Sequence, residues 1–185
     1  MEIIGMKARL SERKKLIRIT LILLVLTLNI SCDQVSKSIA RKQIDYRETI
    51  VVVKNWFTIT KVENTGAFLG VFKTTNRTVQ LVVLIGIPLL MIGYALYYLF
   101  RTNRVSHLIS LGLCLIVGGG LGNQYDRIFR GSVTDFLQVD LQIFRTGVFN
   151  LADLSIMVGL VLVLFEVYIR KQKLNPAPEE QTEPQ

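Results

Sequence analysis

Four long apolar segments, separated by polar stretches, dominate the hydrophobic pattern of this chain. A helix that crosses a bilayer needs about 20 consecutive, mostly apolar residues. The pattern predicts four such helices, over 16–40, 79–100, 105–122 and 149–169. The first becomes more polar after Ser31, the second is the most uniformly apolar, and the third is rich in glycine. We therefore expect an α-helical polytopic membrane protein.

Two of the intervening segments have the composition of β-strands. Valine, isoleucine, threonine and aromatic residues predominate between 49 and 61, which favours extended structure. Apolar and polar residues alternate between 133 and 144. We expect a small β-cradle within 41–78, with one apolar face near the bilayer surface. A second β-like or interfacial segment is expected within 125–148.

Basic residues near the span ends predict the orientation of the chain. They occupy three places that four spans put on one side: Lys7, Arg9, Arg13, Lys14, Lys15 and Arg18, then Arg101 and Arg104, then Arg170, Lys171 and Lys173. That side is expected to be the cytoplasm, with 41–78 and 125–148 outside. Segment 41–78 also contains lysines and arginines, but the rule has less force for long loops. Residues 1–15 would be a basic cytoplasmic N-terminus, 16–173 one membrane domain, and 174–185 a disordered tail.

Composition argues against several classes of function. The chain has 185 residues, is 50% hydrophobic, and has a mean hydropathy of +0.41 and a formal net charge of +8. Much of this charge flanks the spans, which indicates orientation in a membrane rather than binding to nucleic acid. One histidine (His107) and two cysteines (Cys32 and Cys114) are too few for a zinc site, and His107 lies far from the carboxylates. We expect no metal and no organic cofactor.

Polar and ionisable residues gather at the outer ends of the spans. Placing such groups in or at the hydrocarbon costs free energy, so a functional role is the default hypothesis for them. Asp153 lies near a predicted helix N-terminus, whose dipole favours the ionised carboxylate. A second carboxylate close by would be pushed toward protonation, and such a pair is what an aspartyl protease requires. The group comprises Asp33, Gln34, Lys37, Asn123, Asp126, Arg127, Asp135, Asn150 and Asp153.

Each of these features also has a purely structural interpretation. Asn150 and Asp153 are three residues apart and are explained equally well as a helix N-cap with an acidic residue at N3. Asp126 and Arg127 would form a plain interfacial ion pair. For the glycines between 118 and 122, close helix packing is favoured over a direct catalytic role.

Five motifs, taken together, resemble the bacterial lipoprotein signal peptidase family, also called signal peptidase II. In chain order they are Asp33-Gln34-Val35-Ser36-Lys37, Asn64-Thr65-Gly66-Ala67-Phe68, Gly119-Gly120-Leu121-Gly122-Asn123 with Asp126-Arg127, Val133-Thr134-Asp135-Phe136, and Phe149-Asn150-Leu151-Ala152-Asp153. The resemblance covers residues 16–170. One departure is Phe68, which stands where many members continue with a second alanine.

The resemblance implies an intramembrane aspartic endopeptidase of the bacterial inner membrane, with both termini cytoplasmic and a periplasmic β-cradle. Its substrates would be diacylglyceryl-modified prolipoproteins, cut just before the lipidated cysteine, with membrane phospholipid as a further partner. Asp135 and Asp153 match the catalytic dyad. Supporting or substrate-binding positions match Asp33, Lys37, Asn64, Gly66, Gly122, Asn123, Arg127 and Asn150. A monomer is sufficient for this activity.

Part of segment 41–78 is also expected to gate access to the site, because Gly66 places a flexible residue beside the polar Asn64.

Two other functions fit parts of the pattern. Residues 13–32 have the layout of a lipoprotein signal sequence ending at Cys32, but Asn29 stands where an aliphatic residue is usual and three further spans follow. A small proton-coupled transporter would use buried carboxylates as a relay. It would spread them through the membrane depth, whereas here they cluster at one face.

Overall fold

The computed structural model describes residues 2–46, 48–66, 76–102, 105–141 and 143–174. It contains four helical segments long and apolar enough to cross a membrane: span one, Glu12–Gln43; span two, Arg77–Arg101; span three, His107–Arg130; and span four, Leu151–Leu174. The four predicted spans are thereby confirmed, with ends that differ from the predicted ones. Span three continues eight residues beyond Gly122, because its polar C-terminal turns are buried against other elements and the helix ends only at the left-handed Gly131.

Each span belongs to a defined set of helices. Helix α1 (Glu2–Gln43) includes the basic N-terminal segment and span one. Span two consists of α2 (Arg77–Leu81), a π-helical turn (Val82–Gly86) and α3 (Ile87–Arg101). Spans three and four are α4 (His107–Arg130) and α5 (Leu151–Leu174). Of the predicted tail 174–185, only Leu174 lies within the described residues, and it ends α5.

A three-stranded antiparallel sheet joins the two segments that were expected to be extended. Strand β1 (Thr49–Val53) pairs with β2 (Phe57–Asn64), and β2 pairs with β3 (Val133–Val139). The second β-like segment is therefore the third strand of the cradle rather than a separate element. It is also shorter than expected, because the chain turns back after Val139 and Asp140 bridges to Arg145.

Glycine and alanine let spans three and four pack closely. A Cβ on Gly159 would lie 2.5 Å from the carbonyl oxygen of Gly112, and a Cβ on Gly119 would collide with the carbonyl of Ala152. The pairs lie seven residues apart on each helix, so they form two successive contacts along an antiparallel interface. For Gly119, one of the glycines between 118 and 122, this geometry agrees with the packing interpretation.

Two clusters of buried apolar side chains hold the other helices and the sheet together. The first joins spans one, two and three through Ile22, Leu26, Ile92, Leu99, Cys114 and Val117. The second joins the C-terminal end of α1 to the sheet through Ala40, Ile44 and Phe136, with Ile59, Leu137 and Leu151 packed against them. Because the second cluster fixes β3 against the C-terminal end of span one and the N-terminal end of span four, it brings Asp135 next to the polar residues there.

Candidate active site

Asp135 projects from the middle of β3 and is almost completely buried, with 3% of its surface exposed. Both of its carboxylate oxygens accept hydrogen bonds from amides. Asn150 Nδ2 donates to Oδ1 at 2.6 Å, and Asn64 Nδ2 donates to Oδ2 at 3.1 Å. The Gly66 N–H donates to Asn64 Oδ1 at 3.2 Å, so the Asn64 amide is turned with its donor toward Asp135. This contact gives Gly66, a predicted site residue, a defined part in the site.

Asp153 lies in the first turn of α5 and forms a reciprocal cap with Asn150. The Asn150 N–H donates to Asp153 Oδ2 at 3.2 Å, and the Asp153 N–H donates to Asn150 Oδ1 at 3.0 Å. The N-cap interpretation therefore describes these contacts correctly. It does not account for two further hydrogen bonds of these side chains. Asp153 Oδ1 accepts from Asn123 Nδ2 at 2.8 Å, and Asn150 Nδ2 donates to Asp135 Oδ1.

Asn123 and Asn150 connect the two carboxylates. Asn150 Nδ2 donates to Asn123 Oδ1 at 3.2 Å as well as to Asp135. Lys37 Nζ donates to the same Asn123 oxygen at 2.8 Å. An ammonium group is only a donor, so it requires the oxygen of the Asn123 amide to face it. The nitrogen of that amide must then face Asp153, which fixes the direction of the whole network.

Lys37 is completely buried and lies between two carboxylates, Asp33 Oδ2 at 2.8 Å and Asp126 Oδ2 at 3.0 Å. Asp33 also accepts the Ala152 N–H at 3.0 Å, which ties span one to the N-terminus of α5. Gly122 leaves the space for this arrangement, because a Cβ there would lie 2.5 Å from Asp33 Oδ2. A buried charge needs such partners, since desolvation without them is very costly.

Asp126 does not pair with its neighbour Arg127, contrary to the simple ion-pair interpretation. Within the described ranges its ion pairs are with Lys37 at 3.0 Å, Arg130 at 3.4 Å and Arg41 at 3.6 Å. Adjacent residues on a helix point in different directions, so Arg127 turns away from Asp126. Three cations surround Asp126, which makes its role one of charge balance around Lys37.

Arg127 lines a cleft formed by residues of spans two and three together with Thr65, which follows β2. Its guanidinium interacts electrostatically with Asp153, and less strongly with Asp135 and Asp126. The cleft measures about 410 Å³ and is lined by Thr65, Arg77, Gln80, Leu81, Leu84, Ile85, Arg127, Ile128 and Gly131. The predicted gate includes Ala67, which is outside the described residues, and it stays a prediction.

The electrostatic surroundings favour a proton on Asp135. Burial, followed by the negative charge of Asp153, raises the pKa of Asp135 to about 6, while the amides of Asn64 and Asn150 oppose the shift. Asp153 is partly exposed and accepts a main-chain N–H at a helix N-terminus. Such N–H groups and the positive end of the helix dipole stabilise the carboxylate anion. The two chemically identical side chains are thus placed in different environments.

The structure brings together every predicted site residue. It also adds Arg41 and Thr134, which sequence reasoning did not include. Arg41 donates to Thr134 Oγ1 at 3.0 Å, and Thr134 donates to Glu63 at 2.9 Å. Arg41 follows Asp33 and Lys37 at four-residue intervals, so the helical period would have placed it on the same face.

In the parts of the chain that the structure describes, no group of three or more His, Cys, Asp or Glu residues is arranged to hold a metal ion.

Fold and site together define a class: a multi-pass membrane protein in which charged and amide side chains meet at one end of a helix bundle, beneath a small antiparallel sheet. A family model described as signal peptidase (SPase) II matches residues 21–169. The chain belongs to the signal peptidase II family, and it is therefore a membrane-embedded peptidase.

Curated relatives agree with this membership. Lipoprotein signal peptidase of Clostridium novyi (strain NT) is 34% identical over 141 residues, which cover 76% of this chain and 92% of the relative. Lipoprotein signal peptidase of Clostridium acetobutylicum is 31% identical over 152 residues, which cover 82% and 96%. The corresponding enzyme of Sulfurihydrogenibium sp. (strain YO3AOP1) is 32% identical over 145 residues, which cover 77% and 88%.

Solved structures share the fold. One, described as a bacterial membrane enzyme structure obtained by the in meso method at 2.3 Å resolution, has a TM-score of 0.73 and 23% identity, covering 88% of this chain and 94% of its own. A second, at 1.9 Å resolution, has a TM-score of 0.73 and 21% identity, with coverage of 80% and 93%. The arrangement of four spans and a small sheet is therefore that of known membrane enzymes.

Proposed function

We propose that this protein is an intramembrane aspartic endopeptidase of the bacterial inner membrane. It removes the signal peptide from diacylglyceryl-modified prolipoproteins by cutting just before the lipidated cysteine. The observation that carries the proposal is the joining of Asp135 and Asp153 through the side chains of Asn150 and Asn123. The names of the curated relatives support the substrate class.

Asp153 acts as the general base and Asp135 as the general acid. The Asp153 carboxylate, held at the N-terminus of α5, takes a proton from the attacking water. Asp135, buried on β3, carries the proton that polarises the scissile carbonyl. The two side chains support this division because Asp135 is buried on a strand and Asp153 is partly exposed at a helix start. The amides of Asn64, Asn123 and Asn150 hold both carboxylates in place.

The position of the site suits a lipidated substrate. Asp135 lies on β3, which follows span three, and Asp153 lies in the first turn of span four. The charge pattern puts both outside the cytoplasm. A signal peptide that crosses the bilayer, followed by a cysteine whose lipid chains lie in the outer leaflet, brings its scissile bond to this depth. The chain then supplies two carboxylates for the hydrolysis, and substrate alignment comes from the membrane and from the cleft beside Arg127.

A cleavage assay with a lipidated prolipoprotein tests the proposal. Asp135→Asn and Asp153→Asn should each lower turnover by about 10⁴-fold or more, the effect of removing a residue that reacts directly. Asp126→Asn is the control because it also removes a buried carboxylate at the same depth, and it should cost about tenfold or less. All variants are checked for intact folding by thermal unfolding in detergent. Near wild-type cleavage by Asp135→Asn would show that the pair is misassigned, and Asp126 with Asp153 would be tested next.

The lipoprotein interpretation of the chain itself is tested by mass spectrometry of the purified protein. Cys32 lies within the continuous helix α1, and Asp33, the next residue, bonds to span four. The intact N-terminus is therefore expected. A mature N-terminus at a lipidated Cys32 would contradict the proposed function.

A further inference from the structure

Span two is interrupted by a π-helical turn, Val82–Gly86, which ends two residues before Pro88. In an α-helix the carbonyl of Leu84 would accept the N–H of residue 88. Proline has no N–H, and its ring collides with the carbonyl four residues earlier. Inside a membrane the carbonyl needs another donor, because lipid supplies none.

Gln124 of span three supplies a donor to this carbonyl. Its Nε2 donates to the Leu84 oxygen at 3.0 Å, and both residues are buried. The other amide atom, Oε1, is buried without a hydrogen-bond partner among the residues that the structure describes. The amide therefore contributes its N–H group to span two, although its burial leaves an oxygen unsatisfied.

The residue that accepts this hydrogen bond, Leu84, also lines the cleft. Leu81, Leu84 and Ile85, which belong to the interrupted part of span two, line the cleft together with Thr65 and Arg127. Thr65 directly follows Asn64, which bonds to Asp135. A shift of the π-helical turn would therefore change the width of the cleft.

We propose that Gln124 is a positioning residue for the substrate: it fixes the π-helical turn of span two and thereby sets the width of the cleft. The inference rests on the proposed function, because the cleft receives a substrate only if the chain is a peptidase. Gln124 acts through Leu84 and makes no bond to either aspartate. Its loss should therefore weaken substrate binding while leaving the chemical step intact.

Steady-state cleavage by the full-length protein tests this inference. Gln124→Met keeps a flexible side chain of similar size but removes the donor. KM for a lipidated prolipoprotein should rise about threefold to twentyfold, the range set by one interhelical hydrogen bond in a membrane. The value of kcat should stay within about twofold of wild type, because no transition-state contact is removed. The matched control is Gln172→Met at the exposed cytoplasmic end of span four, which should leave both constants unchanged.

Pro88→Ala provides the decisive second variant. It restores an N–H at residue 88, so the Leu84 carbonyl no longer depends on Gln124. In the Pro88→Ala background, Gln124→Met should change KM by less than about twofold, a direct measure of coupling between the two positions. An unchanged KM in the single variant, a loss confined to kcat, or a KM defect that persists with Pro88→Ala would each overturn the inference.

The failure of the proposed function would be recognised separately. In that case wild-type protein would not cleave the prolipoprotein at all. The hydrogen bond from Gln124 to Leu84 would still be measurable, because Gln124→Met should lower the thermal midpoint in detergent in the wild-type background and not in the Pro88→Ala background. Equal midpoint losses in both backgrounds would contradict the role of this hydrogen bond itself.

Discussion

At the scale of single residues, the two aspartates acquire different properties from the elements that carry them. Asp135 is buried on a strand and bonds to two neutral amides, whereas Asp153 is partly exposed and accepts a main-chain N–H at the start of a helix. The raised pKa of Asp135 therefore follows from its position and not from its residue type. Activity and stability should both depend on pH as a consequence.

If protonated Asp135 is the general acid, kcat/KM should fall as pH rises above about 6. The measurement is a pH profile of cleavage between pH 4.5 and pH 8.5, on the order of two units to either side of that pKa. A rate that rises through this range would instead assign Asp135 as the base and contradict the division of roles.

The same shift has a defined sign for stability. The pKa of Asp135 is about 6 in the folded protein against an ordinary value of 3.8, so the folded state binds the proton more tightly. Its contribution to the free energy of unfolding is fully present below about pH 4 and is lost as pH rises through about 6. We expect this component of the thermal midpoint in detergent to be absent in Asp135→Asn. An unchanged pH dependence in that variant would place the titrating group elsewhere.

Lys37 is expected to be needed for both stability and activity. Lys37→Met leaves Asp33 and Asp126 without their shared buried cation, and breaking a buried ion pair from one side costs about 3–5 kcal/mol. It also frees the Asn123 amide to turn its nitrogen away from Asp153. Thermal unfolding and cleavage are measured together, with Lys37→Met combined with Asp126→Asn as the comparison. The double variant should regain part of the lost stability, because Asp33 still lacks its cation, but not full turnover. Recovery of wild-type turnover would show that Lys37 does not orient Asn123.

At the scale of elements, the contact between α4 and α5 places Asn123 opposite Asp153. The two helices approach closely because Gly112 faces Gly159 and Gly119 faces Ala152. If these two backbones moved apart by the width of a methyl group, the Asn123–Asp153 hydrogen bond, which measures 2.8 Å, would lengthen. Helix packing thus controls the geometry of the site.

Gly159→Ala should lower the thermal midpoint and reduce cleavage, since its Cβ would lie 2.5 Å from the Gly112 carbonyl oxygen. The expected destabilisation is about 1–3 kcal/mol, typical of overpacking at a tight contact. Gly93→Ala is the matched control in span two, because a Cβ at Gly93 would meet no atom within 4 Å. Equal midpoints for the two variants would show that this interface does not limit stability.

At the scale of the whole molecule, function depends on which side of the membrane the sheet occupies. The basic residues that flank the spans favour a cytoplasmic position for both termini, which would put the sheet in the periplasm. Strand β1 exposes Ile50, Val51, Val52 and Val53, and Trp56 follows it. These side chains are suited to the bilayer surface, where a lipidated substrate would approach.

Cysteine labelling in intact cells tests this orientation. Cys32 and Cys114 are first replaced, and single cysteines are introduced at Lys54 or Lys171, both of which are exposed. A maleimide that does not cross membranes should label position 54 in intact cells and position 171 only after the cells are opened. The reverse pattern would place the sheet in the cytoplasm, where the proposed substrates could not present their cleavage sites.

The spans and the strand-forming segments are determined by the sequence itself. Long apolar runs cannot remain in water, and backbone groups within them must bond locally, so each run becomes a helix. The carboxylates and amides at the outer ends of the spans could likewise be located from the chain, because they interrupt an apolar pattern. The motifs then indicated which of those residues form the candidate site.

Other features were decided only by the tertiary structure. The pairing of β3 with β2, the burial of Lys37 between Asp33 and Asp126, and the bond from Gln124 to the Leu84 carbonyl all join residues distant in sequence. Periodicity reports which face of an element is apolar but not which atoms of another element will meet it. Hydrogen-bond partners and charge balance arise from packing of the whole chain, because a buried polar group is stable only where a partner is brought to it.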